Sequence, residues 1–516
     1  MSSDPIASPR TRAPHPERPL LPHTSLTARL ADWAHRVTYD DIPALTREAA
    51  ISQLISNLAA VRASMAHPLG KALVSAFGSP LQGDAGRSAH VLSALATALD
   101  FDEVAYAGHV SAGAVNVAAA EARHGSLDGR SLLAAIVVAN ECAARITAAT
   151  ILSPFFRGQT NTHCHSASAA AARLHARRAP CAEWTAALGL ALGILSVPLH
   201  HGVVTSDVKA LTAAAPVRIA LDACDAAAHG LSGADDILEH PDGLLAHLSA
   251  VPVPKTVDKL LGVRWHTDSL TYKRFPGSAY LHAAFDCAER LHERLGRVDA
   301  EKVRRITVAG SLLTSQMEQK VAPALRGPLT PVPAATLSVG YGVATLLLTG
   351  SFGVRDLDPA ALGETSRWAL ADKVVVEHDM DLSLDMARAT SPLGEALREA
   401  GERALDWLEL KRWGGAGASV ILASLGASEE TFENATMAIG ARVRIELVDG
   451  TVAVEECKAF AGSAGASTRD EQRTLVRRKF LGTGAAEETL SALEDIGSLG
   501  PGTVSRVLEK ALDITT

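Results

Sequence analysis

The chain has 516 residues, more than one hydrophobic core ordinarily supports, so two or three domains are expected. Hydrophobic residues make up 47% and charged residues 21%, as in folded globular proteins, and 49 basic against 57 acidic side chains leave a net charge of -8. That balance gives nucleic acid or an anionic membrane no electrostatic purchase, so the expected partner is a small molecule.

Residues 1–24 are rich in Pro, Ser and Arg, have no apolar stretch, and read as a disordered tail and not as a signal peptide. From 25 to 266 the apolar spacing is helical almost throughout, with helices expected at 26–37, 42–65, 90–98, 112–124, 129–147, 166–177, 182–195 and 210–229. Ala dominates these stretches, which favours helices packed closely together. The apolar runs at 186–199 and 339–348 are too short or too Gly-broken to span a bilayer. From 267 to 465 the texture becomes α+β, with alternating strands expected at 302–308 and 442–448. Asp449-Gly450 then signals a hairpin into 451–455. Helices are expected at 278–294, 338–348, 395–408 and 419–425, and the segment 391–440 reads as a possible insertion. Residues 466–516 return to helix and are expected to pack back on the first domain. The fold class is therefore mainly α: a large helical domain with a smaller α+β domain. The six Cys form no C-x-x-C pair, the pattern of reduced, buried thiols in a cytoplasmic protein.

Four features suit chemistry on acids. Asp100-Phe101-Asp102-Glu103 precedes His109, and three carboxylates in four residues repel one another if buried together. Lys209 stands at the mouth of an apolar helix, where a compact cation can anchor a carboxylate. Lys273 and Arg274 precede a Pro-Gly turn, with His282 beyond it, and make a plausible anion clamp. Tyr341 lies between two glycines in a helix, where its hydroxyl needs a partner if buried. A solvated helix end, a surface Lys, a decorated loop and a satisfied core Tyr are the plain alternatives. Thr162-His163-Cys164-His165 lacks the spacing of a helical zinc pair, so no metal site is assigned. No G-x-G-x-x-G, P-loop, G-x-S-x-G or H-E-x-x-H occurs, which argues against dinucleotide, nucleoside triphosphate and standard hydrolase chemistry.

Taken in order, these motifs resemble the MmgE/PrpD family of dehydratases, decarboxylases and epimerases. The likeness rests on Asp100–Glu103 with His109, on Gly129, Arg130 and Glu141, on Lys209, and on the Gly230-Leu231-Ser232-Gly233 run. It continues through Lys273–Pro276 with His282, through Ser338, Tyr341 and Ala344, and ends at Lys479-Phe480. The resemblance implies a helical domain with an α+β lid, a homodimer, and no metal or organic cofactor. It also implies a site that sets Asp100, His109 and Lys209 opposite Lys273 and Tyr341. The chain departs from the family at Val104, where a Thr is usual, at Arg157, where a His is usual and His163 or His165 is a substitute, and at Ser278, another His position. These changes tie Val104, Arg157, His163 and Ser278, with Arg274 and His282, to substrate binding.

The implied activity is a cofactor-independent lyase of a small carboxylate-bearing substrate, most simply a hydroxy-acid dehydratase. An epimerase, a decarboxylase and a non-catalytic homologue are the alternatives. His109, oriented by Asp100, is the expected acid/base, Lys209 and Lys273 with Arg274 the carboxylate and enolate holders, and Tyr341 the proton donor.

Overall fold

A computed structural model describes residues 25–514 apart from 107, 125–126, 153–161 and 411–417. The expected N-terminal tail, Arg157 and the Gly-rich run at 414–417 lie outside the described residues.

Ala-rich periodicity builds the first lobe. Its helices are α1 (Leu26–Arg36), α2 (Ala44–Ala66), α3 (Pro68–Phe77), α4 (Ala85–Ala98), α5 (Ser111–His124), α6 (Gly129–Thr150), α7 (His163–Ala176), α8 (Cys181–Gly193), α9 (His200–Thr205) and α10 (Val208–Ala228). Ser25, Asp84 and Asp128 cap α1, α4 and α6, each side chain accepting a backbone N–H of the first turn. The small side chains let α5, α6 and α7 bury nearly every residue. Over its 22 residues α6 is long and apolar enough to cross a membrane, which the shorter runs singled out in the sequence are not, but it is sheathed on all sides by other helices.

The second lobe is built on a four-stranded sheet: β1 (Val303–Gly310), β2 (Val374–His378), β3 (Ala441–Leu447) and β4 (Val452–Cys457), in the order β2-β1-β3-β4. β1 runs parallel to β2 and antiparallel to β3. β3 and β4 form the expected hairpin, with Gly450 at φ +92° in the turn. β2 was not expected from the sequence; it is a short edge strand whose residues, Val-Val-Val-Glu-His, do not alternate apolar with polar. Helices His282–Leu295 and Val339–Thr349 pack in the same core. The single helix expected at 395–408 is broken at Gly401, whose φ of +55° ends Gly394–Ala400. The surrounding segment belongs to the second core through Leu393, Leu397, Leu408 and Ile421.

The lobes exchange segments. Leu99, Val104, Ile151, Leu152, Val251 and Val253 pack in the second core, while Leu270, Tyr272 and Phe432 pack in the first. At the crossing, the buried Glu141 carboxylate accepts the backbone N–H groups of His266 (3.0 Å) and Thr267 (2.8 Å) and the Thr267 hydroxyl (2.9 Å). The helices Arg469–Leu481, Glu487–Glu494 and Pro501–Leu512 return to the first core. There the Leu499 carbonyl accepts the Gly129 N–H at 2.9 Å, and a Cβ at Gly129 would stand 1.6 Å from the Ile496 carbonyl oxygen.

Candidate active site

α4 ends at Ala98 with Leu99 as its C-cap, and Asp100 takes the left-handed conformation (φ +53°) that commonly closes a helix. The chain then turns into an extended stretch that pairs with the second lobe. Val104 N–H donates to Thr271 O at 3.1 Å, and Thr271 N–H donates to Val104 O at 2.9 Å. This pairing aligns residues 100–104 with 271–273 and brings the two lobes' charges together. Lys273, wholly buried, donates to the Asp100 carbonyl (2.9 Å) and to Asp100 Oδ1 (2.7 Å). Gly277, at φ +121° after Pro276, donates its N–H to the same carbonyl at 3.1 Å. Lys209, in the first turn of α10, sets its Nζ 3.5 Å from Asp100 Oδ2. A cation there is opposed by the helix dipole, so the carboxylate beside it supplies the compensating charge.

Asp102 is also buried, and both its oxygens lie 3.0 Å from His109 Nδ1. His109 Nε2 faces Asp100 Oδ1 at 3.5 Å, and the ring is a quarter exposed. The expectation that Asp100 orients His109 is therefore corrected: Asp102 grips the imidazole, because Asp100 is already engaged by two ammonium groups. Burial alone would raise the Asp100 carboxyl, but Lys209, Lys273 and His109 together outweigh it and hold the group far below the carboxylate range. Asp102 is likewise lowered, His109 overcoming its desolvation. Asp100, Asp102 and His109 offer donor atoms within 4.8 Å of one another, as a metal site would, yet the chain's own lysines already compensate the charge at Asp100.

A cavity of about 130 Å³ opens over this cluster, between the lobes. Asp100, Val104, His109, Lys209, Lys273 and Ser278 line it, so the structure brings together six of the residues singled out in the sequence. His165, Tyr106, Thr212 and Tyr280 line it too. The Tyr280 hydroxyl donates to Leu337 O at 2.6 Å, and Tyr106 Oη stands 3.1 Å from His266 Nδ1. Burial pushes the His165 imidazole down to about 3, with His109 contributing, so it is neutral.

Four expected site residues lie elsewhere. Tyr341 donates its hydroxyl to the Asp356 carbonyl at 2.5 Å and packs on Trp368, inside the second core. Arg274 is turned to Asp286 (2.6 Å) and Glu289 (2.7 Å) and lies over the Phe275 ring. His282 is buried among Phe275, Phe285 and Phe460, where desolvation pushes it down to about 3. His163 pairs with the Thr150 hydroxyl at 2.9 Å, leaving His165 as the imidazole of that cluster that reaches the cavity.

One supporting residue was legible only as the end of a motif. Lys479 Nζ, from Arg469–Leu481, donates to Phe101 O (2.6 Å), Ser56 Oγ (2.8 Å) and Glu103 Oε1 (3.4 Å), behind the Asp100–Glu103 stretch. The third carboxylate of that stretch thus faces a buried ammonium and not the cavity.

The fold and site define a two-lobed, mainly helical protein with a lysine-compensated carboxylate and a carboxylate-gripped histidine in the cleft. The MmgE/PrpD N-terminal domain model matches residues 28–256, and the MmgE/PrpD C-terminal domain model matches residues 275–404. The chain belongs to the MmgE/PrpD family. No curated protein matches it.

Proposed function

We propose that the protein is a cofactor-independent lyase that removes a proton beside a carboxylate of a small molecule, most simply as a hydroxy-acid dehydratase. Family membership supports dehydratase-like or related chemistry in general. The observation that carries the residue-level reading is His109: Nδ1 meets both Asp102 oxygens at 3.0 Å, while Nε2 lies on the cavity side, toward Asp100. A carboxylate at Nδ1 selects the tautomer with the proton there, so Nε2 carries the lone pair that accepts a substrate proton. Asp102 also stabilises the imidazolium that results. Lys209, the less tightly engaged of the two lysines, holds the substrate carboxylate, and the charge that develops next to it falls within reach of the same ammonium. Lys273, wholly buried and bonded to Asp100, is the anchor that keeps this carboxylate ionised and in place. Ser278 is one of the hydroxyls at the cavity wall, and the proton that His109 accepted is returned to the departing hydroxide, which leaves as water.

His165 gives the epimerase reading its support, since a second imidazole lines the cavity with its ring centroid 6.4 Å from that of His109. A group pushed down to about 3 is a weak base near neutral pH, so the single-base lyase is preferred. Proton NMR in D₂O over a panel of carboxylic acids separates the outcomes. Alkene signals mark dehydration, deuterium at the α-carbon without turnover marks epimerisation, and CO₂ release marks decarboxylation. No exchange with any acid would sink the enzyme reading.

A further inference from the structure

His109 is delivered to the cavity by a tight turn. Ala105 and Gly108 close it, each donating its backbone N–H to the other's carbonyl, at 3.0 and 2.9 Å. Gly108 is closely packed, since a Cβ there would stand 3.3 Å from Thr147 Cγ2 and 3.4 Å from Cys164 Sγ. His109 follows at once, and α5 begins two residues later at Ser111. The imidazole therefore hangs between a helix and a two-residue turn, and its distance from Asp102 depends on both.

A turn of this length needs a positive φ at its first central residue, a position that Gly, Asn or Asp ordinarily fills. Tyr106 takes it here, at φ +55°. For a bulky aromatic residue that conformation is strained, and such strain persists only where the surroundings impose it. The surroundings here are specific. Tyr106 is 1% exposed, and its Oη stands 3.1 Å from His266 Nδ1, a hydrogen bond in either tautomer of the ring. His266 is wholly buried, meets Phe432 in a T-shaped contact and donates its backbone N–H to Glu141 of α6. Arg145, one turn along α6, donates to the Arg264 carbonyl at 2.5 Å, so the segment carrying His266 is fixed to α6 at two points. Gly, Asn or Asp would relieve the turn, but none carries a polar group as far from the backbone as the tyrosine hydroxyl.

We infer that Tyr106 is a positioning residue for the proton-transfer step: its hydroxyl, held by His266, braces the strained turn that sets His109 against Asp102. The inference rests on the reading of His109 above and deepens it. Carbon-13 NMR of the histidine Cε1 positions in the free, full-length protein tests it, with the His109 signal assigned by its loss in His109→Ala. Asp102→Asn marks where that signal lies once the carboxylate no longer grips the ring. Tyr106→Phe keeps the aromatic ring, and His266→Phe removes the same hydrogen bond from its other end. Each is expected to move the His109 signal toward the Asp102→Asn position, while adding Tyr106→Phe to Asp102→Asn moves it no further. Deuterium exchange into the panel acid that the unsubstituted protein labels should fall by about 10–10²-fold in Tyr106→Phe, with KM unchanged. Near-UV circular dichroism checks the fold of each variant, and if one does not fold the other decides. A His109 signal unmoved in a folded variant, or a displacement that simply adds to that of Asp102→Asn, would overturn the inference. Exchange into no acid by the unsubstituted protein would instead remove the lyase reading, and the catalytic role of Tyr106 with it, while the NMR result still decides whether Tyr106 holds His109 in place.

Discussion

Asp100 and Asp102 stand two residues apart and do different work. Asp100 pairs with two lysines, while Asp102 grips His109. Asp102→Asn keeps the shape but removes the charge that fixes the Nδ1 proton, and turnover is expected to fall by about 10²–10⁴-fold, the range of general acid–base catalysis, with little change in KM. Tyr341→Phe supplies the contrast. It loses the hydrogen bond to the Asp356 carbonyl, away from the cavity, so steady-state turnover should be unchanged while stability, read by chemical denaturation, drops by about 0.5–1.5 kcal/mol. Both aspartates titrate in the folded protein below the ordinary carboxyl value of 3.8. The unfolded chain therefore binds more protons than the folded one as pH falls into that region. The stability these groups contribute is complete above about pH 4–5 and is lost as acidity increases. Thermal melts from pH 7 to 3 should show a steep acid-side drop that is shallower in Asp102→Asn. The two aspartates were visible in the sequence, as were His109, Lys209 and Lys273. Which aspartate serves which partner was not, because it depends on the left-handed turn at Asp100 and on the Val104–Thr271 pairing across the lobes.

At the scale of elements, the Ala-rich helices and the Asp449-Gly450 hairpin were legible because each is specified by local pattern: helical period, N-caps, and a turn that demands a positive φ. The edge strand Val374–His378 and the break at Gly401 were not, since neighbouring elements decide both. Lys479 shows the same limit. Its partners Ser56, Phe101 and Glu103 are hundreds of residues away in sequence, and no local spacing announces them. The ammonium is wholly buried, and desolvation, opposed by Glu103, brings it down to about 8 from 10.5. Below pH 8 both states are protonated, and the cost of burying the charge is fully present. Between about 8 and 10.5 the folded state binds fewer protons than the unfolded one, so this group makes stability rise with pH. Lys479→Met should abolish that rise in melts taken from pH 7.5 to 10. It should also lower kcat by loosening the Asp100–Glu103 stretch, with Lys479→Arg recovering part of the loss.

For the whole molecule, the cleft exists because the chain crosses between two cores. Residues 99–104 leave the helical lobe to pack in the second core, residues 270–273 lean back toward the first, and the charged cluster forms where they meet. Of the C-terminal helices, Arg469–Leu481 braces this junction from behind through Lys479, while Ile496 and Leu499 hold the start of α6. Such an arrangement explains why the sequence motifs lie far apart yet share one site, and why Tyr341 and His282, in the same ordered set, serve the core of the second lobe instead. The central claim is that His109, held by Asp102, removes a proton beside a carboxylate bound at Lys209. The most direct measurement is the rate of deuterium incorporation next to the carboxylate of a bound acid in D₂O, followed by proton NMR for the unsubstituted protein and for His109→Ala. Exchange by the unsubstituted protein, and loss of about 10²–10⁴-fold in His109→Ala with acid binding retained, is the expected result. Exchange at an undiminished rate in His109→Ala would contradict the account.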